Sequence, residues 1–248
     1  MRNFVITCDR YSVLLEGYIE LFRRHWTGLP VQTVILGFDK PDIIFPKGFI
    51  FHSMGKQINY HQWSAPLITF FESIEDDFFL LCFEDHYLIK DVDSERLDEG
   101  LHLMQEGNVD KLYLQPDYSD RIERHYKGNW YRSVDHPHAY TTTSLLPCVW
   151  KREYFLKLLR NVNEMGAIDP HYFERVNNEK SPLGCNVLLT KDTTIYANLD
   201  AVRKGHYNTS IFTNFKKNRS GGDRCWMKNI TSEDMEVFQR MHSKWENQ

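Results

Sequence analysis

Phe78-Phe79-Leu80-Leu81-Cys82-Phe83-Glu84-Asp85-His86 is the stretch on which the fold turns. Six apolar residues stand in a row without alternation, so this strand has no face to give to water. A strand buried on both sides belongs in a parallel sheet between two helix layers. The run then stops abruptly at two acids. In open parallel sheets, ligands sit beyond the carboxyl ends of the strands, where the chain leaves the core. Glu84 and Asp85 are therefore expected at a crevice. Two adjacent carboxylates suit a hard divalent cation, and such a cation can bridge the phosphates of a nucleotide. Acids at a strand end also serve simply to solvate it, and both readings stand at this point.

Upstream, Phe4-Val5-Ile6-Thr7-Cys8 reads as a first buried strand stopped by Asp9-Arg10. Leu14, Leu15, Tyr18, Ile19, Phe22 and Trp26 recur at helical spacing. Val31 to Phe38 is a second strand ending at Asp39, and Phe49-Ile50-Phe51 a third beyond the turn marked by Pro41 and Pro46. Ser64 is expected to cap the helix carrying Leu67, Phe70 and Phe71, with Pro66 in its first turn.

Downstream, Asp93 or Ser94 opens a helix through Met104 that Gly107 ends. Lys111 to Gln115 reads as a strand, and Pro116 to Thr143 as a long irregular excursion of the kind that carries function. Ser144 to Trp150 is a further strand and Lys151 to Arg160 a helix. Asp169-Pro170 starts a helix to about Asn178, and Thr193 to Asn198 is a late strand. Lys204 to Lys228 is polar and reads as flexible. Thr231 and Asp234 form a capping box before a last helix bearing Met235, Phe238, Met241 and Trp245. Alternating strands and helices predict an α/β fold in one domain: a mostly parallel central sheet flanked by helices. Residues 1–110 are expected to form a ligand-binding half, 111–230 a second half facing another substrate, and 231–248 the terminal helix.

The formal charge of −4 over 248 residues gives no basic footprint for coating nucleic acid. Aromatics at 14% suit stacking on flat or ring-shaped ligands, or simply an aromatic core. The five cysteines are scattered without close pairs, which predicts neither zinc nor disulfides and favours a reducing cytoplasm. No stretch reads as a signal peptide or membrane span. The acceptor triplets at Asn208, Asn218 and Asn229 are read as chance matches. Basic residues cluster with aromatics in 121–132 and again in 214–228; they suit a phosphate-bearing partner, or solubility alone.

As an ordered set, several segments resemble GT-A-type glycosyltransferases found in viruses and bacteria. They are Ile6-Thr7-Cys8-Asp9-Arg10-Tyr11, Trp63-Ser64-Ala65-Pro66, Phe83-Glu84-Asp85-His86-Tyr87-Leu88, Ser144 to Tyr154, and Asp169-Pro170-His171-Tyr172-Phe173-Glu174. Gly205-His206 stands where such enzymes place a late motif. The resemblance covers about residues 3 to 207 and implies a GT-A-like fold. It implies a nucleoside diphosphate sugar as donor and a hydroxyl acceptor, either a glycan or a hydroxylated base in viral DNA. It also implies a divalent metal, Mn2+ or Mg2+. The usual Asp-any-Asp triplet is replaced here by Glu84-Asp85-His86.

Carried over residue by residue, the resemblance puts Thr7 and Asp9 at the base and ribose, with Asp39 as a second contact there or a plain turn residue. Arg10 would serve the diphosphate. Trp63 would line the donor pocket, or anchor the core. Glu84 would meet ribose or metal-bound water, and Asp85 with His206 would bind the metal. Glu174 would be the general base, which implies inversion at the anomeric carbon; otherwise it is a solvated helix residue. Two other classes compete: a non-catalytic nucleic-acid- or sugar-binding module of the same fold, and a metal-dependent phosphoesterase. For the latter, His136-Pro137-His138 is the one paired histidine spacing.

Overall fold

The structure is a computed structural model and describes residues 1–27, 31–57, 63–115, 123–133, 143–166, 170–179, 186–190, 193–216 and 229–248. The expected inner strand is there: β4 spans Phe78–Phe83. Its neighbours are β1 (Arg2–Ile6), β2 (Thr33–Gly37) and β3 (Phe49–Ser53). Beyond β4 lie β9 (Cys148–Lys151), β6 (Lys111–Tyr113) and β10 (Val187–Thr190). A hairpin of β7 (Glu123–Lys127) and β8 (Trp130–Ser133) finishes the sheet. The order is β3-β2-β1-β4-β9-β6-β10-β8-β7.

The β3, β2, β1 and β4 strands are mutually parallel. Antiparallel β9 lies between β4 and β6, whereas β6 and β10 run parallel to each other. The architecture is thus α/β, with a central sheet whose β3-β2-β1-β4 half is wholly parallel and whose other half is mixed.

Both faces of β4 are covered, as its unbroken apolar run requires. Phe79 and Leu81 pack with α2 (Ser64–Glu72), α4 (Arg152–Glu164) and α5 (Pro170–Glu179). Leu80 and Cys82 pack on the other face with α1 (Leu15–His25), α3 (Ser94–Glu106) and α7 (Ser232–Glu246). Each fully buried side chain of this kind contributes roughly 1.5–3 kcal/mol. The ring of Phe71 stacks on Phe79 at 4.5 Å and meets Phe155 edge-on at 5.1 Å. Most of the aromatic excess is therefore core.

Several local expectations are corrected. Ser64 is the first helical residue rather than the cap, and its hydroxyl donates to Asn163 Oδ1 of α4 at 3.1 Å. The late strand is not Thr193–Asn198 but β11, Asn198–Asp200. It pairs antiparallel with the short β5 (His86–Leu88) that follows the acid pair. The strand expected at Ser144–Trp150 begins only at Cys148. Within the stretch expected to be flexible lie β13 (His206–Tyr207), which pairs with β12 (Val202–Arg203), and α6 (Ser210–Lys216). Asp169, the histidines at 136 and 138, and residues 217–228 lie outside the described residues.

Gly107 does follow α3, but with φ −110 it is not the left-handed residue; Asn108, at φ 49, is. Gly107 lacks a side chain for another reason. A Cβ there would stand 2.7 Å from the Arg132 guanidinium and 2.8 Å from the Tyr126 hydroxyl.

Candidate functional site

Because β1, β2 and β4 are parallel, their carboxyl ends open on one edge of the sheet. Antiparallel β9 begins at that same edge, with Cys148 opposite Leu81. A cavity of about 330 Å³ lies there, lined by Glu84, Asp85, Asp200 and Glu174 among others. Four carboxylates from three distant segments thus share one space.

Glu84 leaves the end of β4 almost fully buried, at 3% exposure, and its Oε2 has no hydrogen-bond partner among the described residues. Burial, then the neighbouring Asp85 charge, push its pKa well above the ordinary carboxylate range. Asp85 is pushed up to about 8, first by burial and then by Asp200, with backbone N–H groups, among them that of Val202, working against the rise. Asp200 reaches it through β11: Asp200 pairs with His86, and the Ala201 N–H donates to the Asp85 carbonyl at 2.8 Å. The backbone ladder therefore forces two acids together. Asn198, two residues earlier on the same face of β11, donates to Asp200 Oδ1 at 3.3 Å and accepts from Gln115, two residues beyond β6.

The turn itself is shaped by His86, whose Nδ1 accepts from the Phe83 N–H at 3.2 Å. That bond places the ring proton on Nε2, which faces Asp85 Oδ1 at 3.9 Å.

On another wall, Glu174 sits in the second turn of α5. Its Oε1 accepts from the Leu145 N–H at 2.7 Å. The Leu145 segment is itself held by Lys111, fully buried, whose ammonium donates to the Ser144 carbonyl at 2.6 Å and lies 4.3 Å from the Trp150 ring. Glu174 is therefore a partly buried residue of the cavity and not a solvated helix residue.

The remaining expected residues are distributed around this centre. Thr7 is buried at the end of β1, and its methyl packs against Gly37, where a Cβ would come within 2.9 Å. Asp9 is exposed and its Oδ1 accepts from the Asp39 N–H at 3.1 Å, so these two expected residues do meet, at the β1 and β2 ends. Neither lines the cavity. Trp63 is a core residue behind it: its ring stacks on the cavity-lining Phe83 at 6.5 Å and meets Phe173 edge-on at 5.5 Å. Arg10 is exposed, donates to the Gly205 carbonyl at 3.3 Å and lies over the rings of Tyr11 and Trp245. His206 is exposed on β13 and is not among the residues lining the cavity. Among the described residues, no three His, Cys, Asp or Glu side chains converge as a metal-ligand group.

Asp200 is the residue that sequence reasoning missed. Its signal was present but faint: a second, mostly apolar run ending in an acid, Ile195-Tyr196-Ala197-Asn198-Leu199-Asp200.

No family model matches the chain, and no curated protein matches it in sequence. Among solved structures, the chain is similar to residues 1–349 of S. aureus TarS at 12% identity and TM-score 0.48; 79% of this chain is covered and 60% of that one. The same TarS fragment in complex with UDP-GlcNAc matches over 100% of this chain and 72% of its own, at 13% identity and TM-score 0.48. A cytidylyltransferase from Leptospira borgpetersenii matches over 100% of this chain and 97% of its own, at 11% identity and TM-score 0.46. These are low-identity likenesses of chain path, and the functional reading stands on the site.

Proposed function

We propose that the protein is a glycosyltransferase that moves a sugar from a nucleoside diphosphate sugar to a hydroxyl acceptor, a glycan or a hydroxylated base. The observation that carries the reading is the cavity at the parallel strand ends, which Asp85, Asp200 and Glu174 line together. Phosphoryl-bearing ligands bind at this edge of α/β sheets.

Two carboxylates, completed by the donor's phosphate oxygens, would suit a divalent ion. Two acids brought close by a strand pairing, with Asp85 raised by burial and then by the Asp200 charge, would be relieved by a cation between them. Asp85 and Asp200 would hold Mn2+ or Mg2+, a better pair than Asp85 with His206, which does not line the cavity. A bound cation would supply charge neutralisation for the departing diphosphate. Glu84, buried with an unpartnered Oε2, would hydrogen-bond a donor hydroxyl, the ribose being the candidate. Asp9 and Asp39 would meet the nucleoside further along the same edge.

In the transfer step the acceptor oxygen attacks the anomeric carbon and its proton passes to Glu174. The bond from that carbon to the phosphate oxygen breaks, and the diphosphate leaves with the electron pair. The Leu145 N–H fixes one Glu174 oxygen and so orients the carboxylate. A single displacement of this kind inverts the configuration.

The test is release of nucleoside diphosphate from a panel of sugar nucleotides with Mn2+, for the native chain and Asp85→Asn. Turnover in the native chain that the substitution removes is the expected result. Absence of turnover with every donor, or phosphate release from simple esters instead, overturns the reading.

A further inference from the structure

The acidic cavity has a basic rim whose charges are not spent on the acids. Arg203 and Lys204 both line the same space as Glu84, Asp85, Asp200 and Glu174. Elsewhere the chain pairs such groups readily: Arg24 with Asp234 at 2.6 Å, Arg96 with Glu99 at 2.6 Å, Arg160 with Glu72 at 2.6 Å. Among the described residues, neither Arg203 nor Lys204 forms an ion pair with any of the cavity carboxylates. Basic and acidic groups held around one cavity without touching leave room for a ligand that carries both signs, a cation with its anion.

The hairpin that bears them is fixed rather than loose. Lys204 and Gly205 have φ 53 and 77, the paired left-handed conformations of a two-residue turn between β12 and β13. Its base is tied to the acid centre, because the Asn208 side chain donates to the Asp200 carbonyl at 3.0 Å and its N–H to the Ala201 carbonyl at 2.8 Å. Its tip is tied to Arg10 through the Gly205 carbonyl. Arg10 in turn lies 5.8 Å from the Trp245 ring, which itself stands 5.3 Å from Tyr11. Arg10 is thus engaged in holding the hairpin.

We propose that Arg203 and Lys204 form the site for the anionic diphosphate of the donor, on a hairpin whose tip Arg10 contacts through the Gly205 carbonyl. This rests on the glycosyltransferase reading and deepens it: the leaving group lies between the Asp85–Asp200 pair and the Arg203–Lys204 turn. Guanidinium and ammonium groups give charge-assisted hydrogen bonds to phosphate oxygens.

Isothermal titration calorimetry of the full chain with Mn2+ and UDP, GDP, CDP, ADP, dTDP and inorganic pyrophosphate tests it. For whichever nucleoside diphosphate the native chain binds, Arg203→Gln with Lys204→Gln weakens affinity roughly ten- to hundred-fold and flattens its salt dependence. The pair Arg203→Lys with Lys204→Arg keeps both positive charges and loses clearly less affinity than the glutamine pair. Equal affinity in the glutamine pair, or equal loss in both pairs, overturns this site while leaving the transferase reading in place. A native chain that binds none of the six overturns both.

Discussion

At the scale of single residues, acids that share a cavity would take opposite jobs in the proposed transfer. Glu174→Gln preserves volume and an oxygen for the Leu145 N–H, but it cannot take a proton. Transfer is expected to fall about 10²–10⁴-fold while donor affinity measured by calorimetry stays near native. A parallel loss of donor affinity would place Glu174 on the donor side instead. Asp200→Asn makes a different signature. Without added metal, and above about pH 8 where Asp85 ionises against burial and the Asp200 charge, it removes the repulsion and raises stability; with Mn2+ it loses the metal-dependent donor binding. Denaturant melts with and without Mn2+ read both effects, and destabilisation of the metal-free chain would contradict the charge argument. Glu84 and Asp85 were legible in the sequence because they end an apolar run. Asp200 was not, since its closeness to Asp85 comes from a pairing of β5 with β11 across more than a hundred residues.

At the scale of elements, the C-terminal helix α7 is what braces the tip of the site from behind. Its capping box, read from the sequence, is present: Thr231 accepts from the Asp234 N–H, and Asp234 accepts from the Thr231 N–H. The sequence did not show that Asp234 also binds α1, accepting from Arg24 at 2.6 Å and lying 3.1 Å from His25 Nε2. Burial alone would raise Asp234, but hydrogen bonds from His25, the Thr231 backbone and Arg24 outweigh it and bring the pKa down to about 2. His25 is raised: burial opposes protonation, and its contacts with Asp234 and Asp91 prevail.

The depressed acid contributes stability, about 2 kcal/mol, that is whole above an ordinary carboxylate pKa and lost as pH falls toward 2. The histidine contribution is whole below about pH 6.5 and fades as pH rises through its folded value. Urea melts of native and Asp234→Asn chains should therefore differ most between about pH 4 and 6.5, and converge toward pH 2. A difference that grows on acidification would contradict the pairing. Gly17 of α1 permits the close approach of α7, because a Cβ there would sit 2.4 Å from the Tyr87 hydroxyl and 2.6 Å from Met241 Cγ. Gly17→Ala is expected to lower stability by about 1–3 kcal/mol, measured by the same melts, despite the better helix propensity of alanine. A neutral or stabilising outcome would show that α7 gives way.

At the scale of the whole molecule, a sheet buried on both faces places strand ends, and the strand ends place the chemistry. The parallel half, β3-β2-β1-β4, was legible because its strands are short apolar runs that alternate with amphipathic helices. The other half was less so. The antiparallel insertion of β9 between β4 and β6 and the β7–β8 hairpin depend on long-range pairing, which local patterning does not encode. Among the described residues, no helix is long and apolar enough to cross a membrane.

The claim at the centre is that the acids at this sheet edge take a metal-bound nucleoside diphosphate sugar. A thermal-shift panel of such donors, with and without Mn2+, tests it most directly, since a ligand of the folded state raises Tm by mass action. At about a hundred times Kd the predicted rise is roughly 5–10 °C for at least one donor, seen only with Mn2+ and absent in Asp85→Asn. A panel in which no donor moves Tm, or one that moves the Asp85→Asn chain equally, would contradict the account.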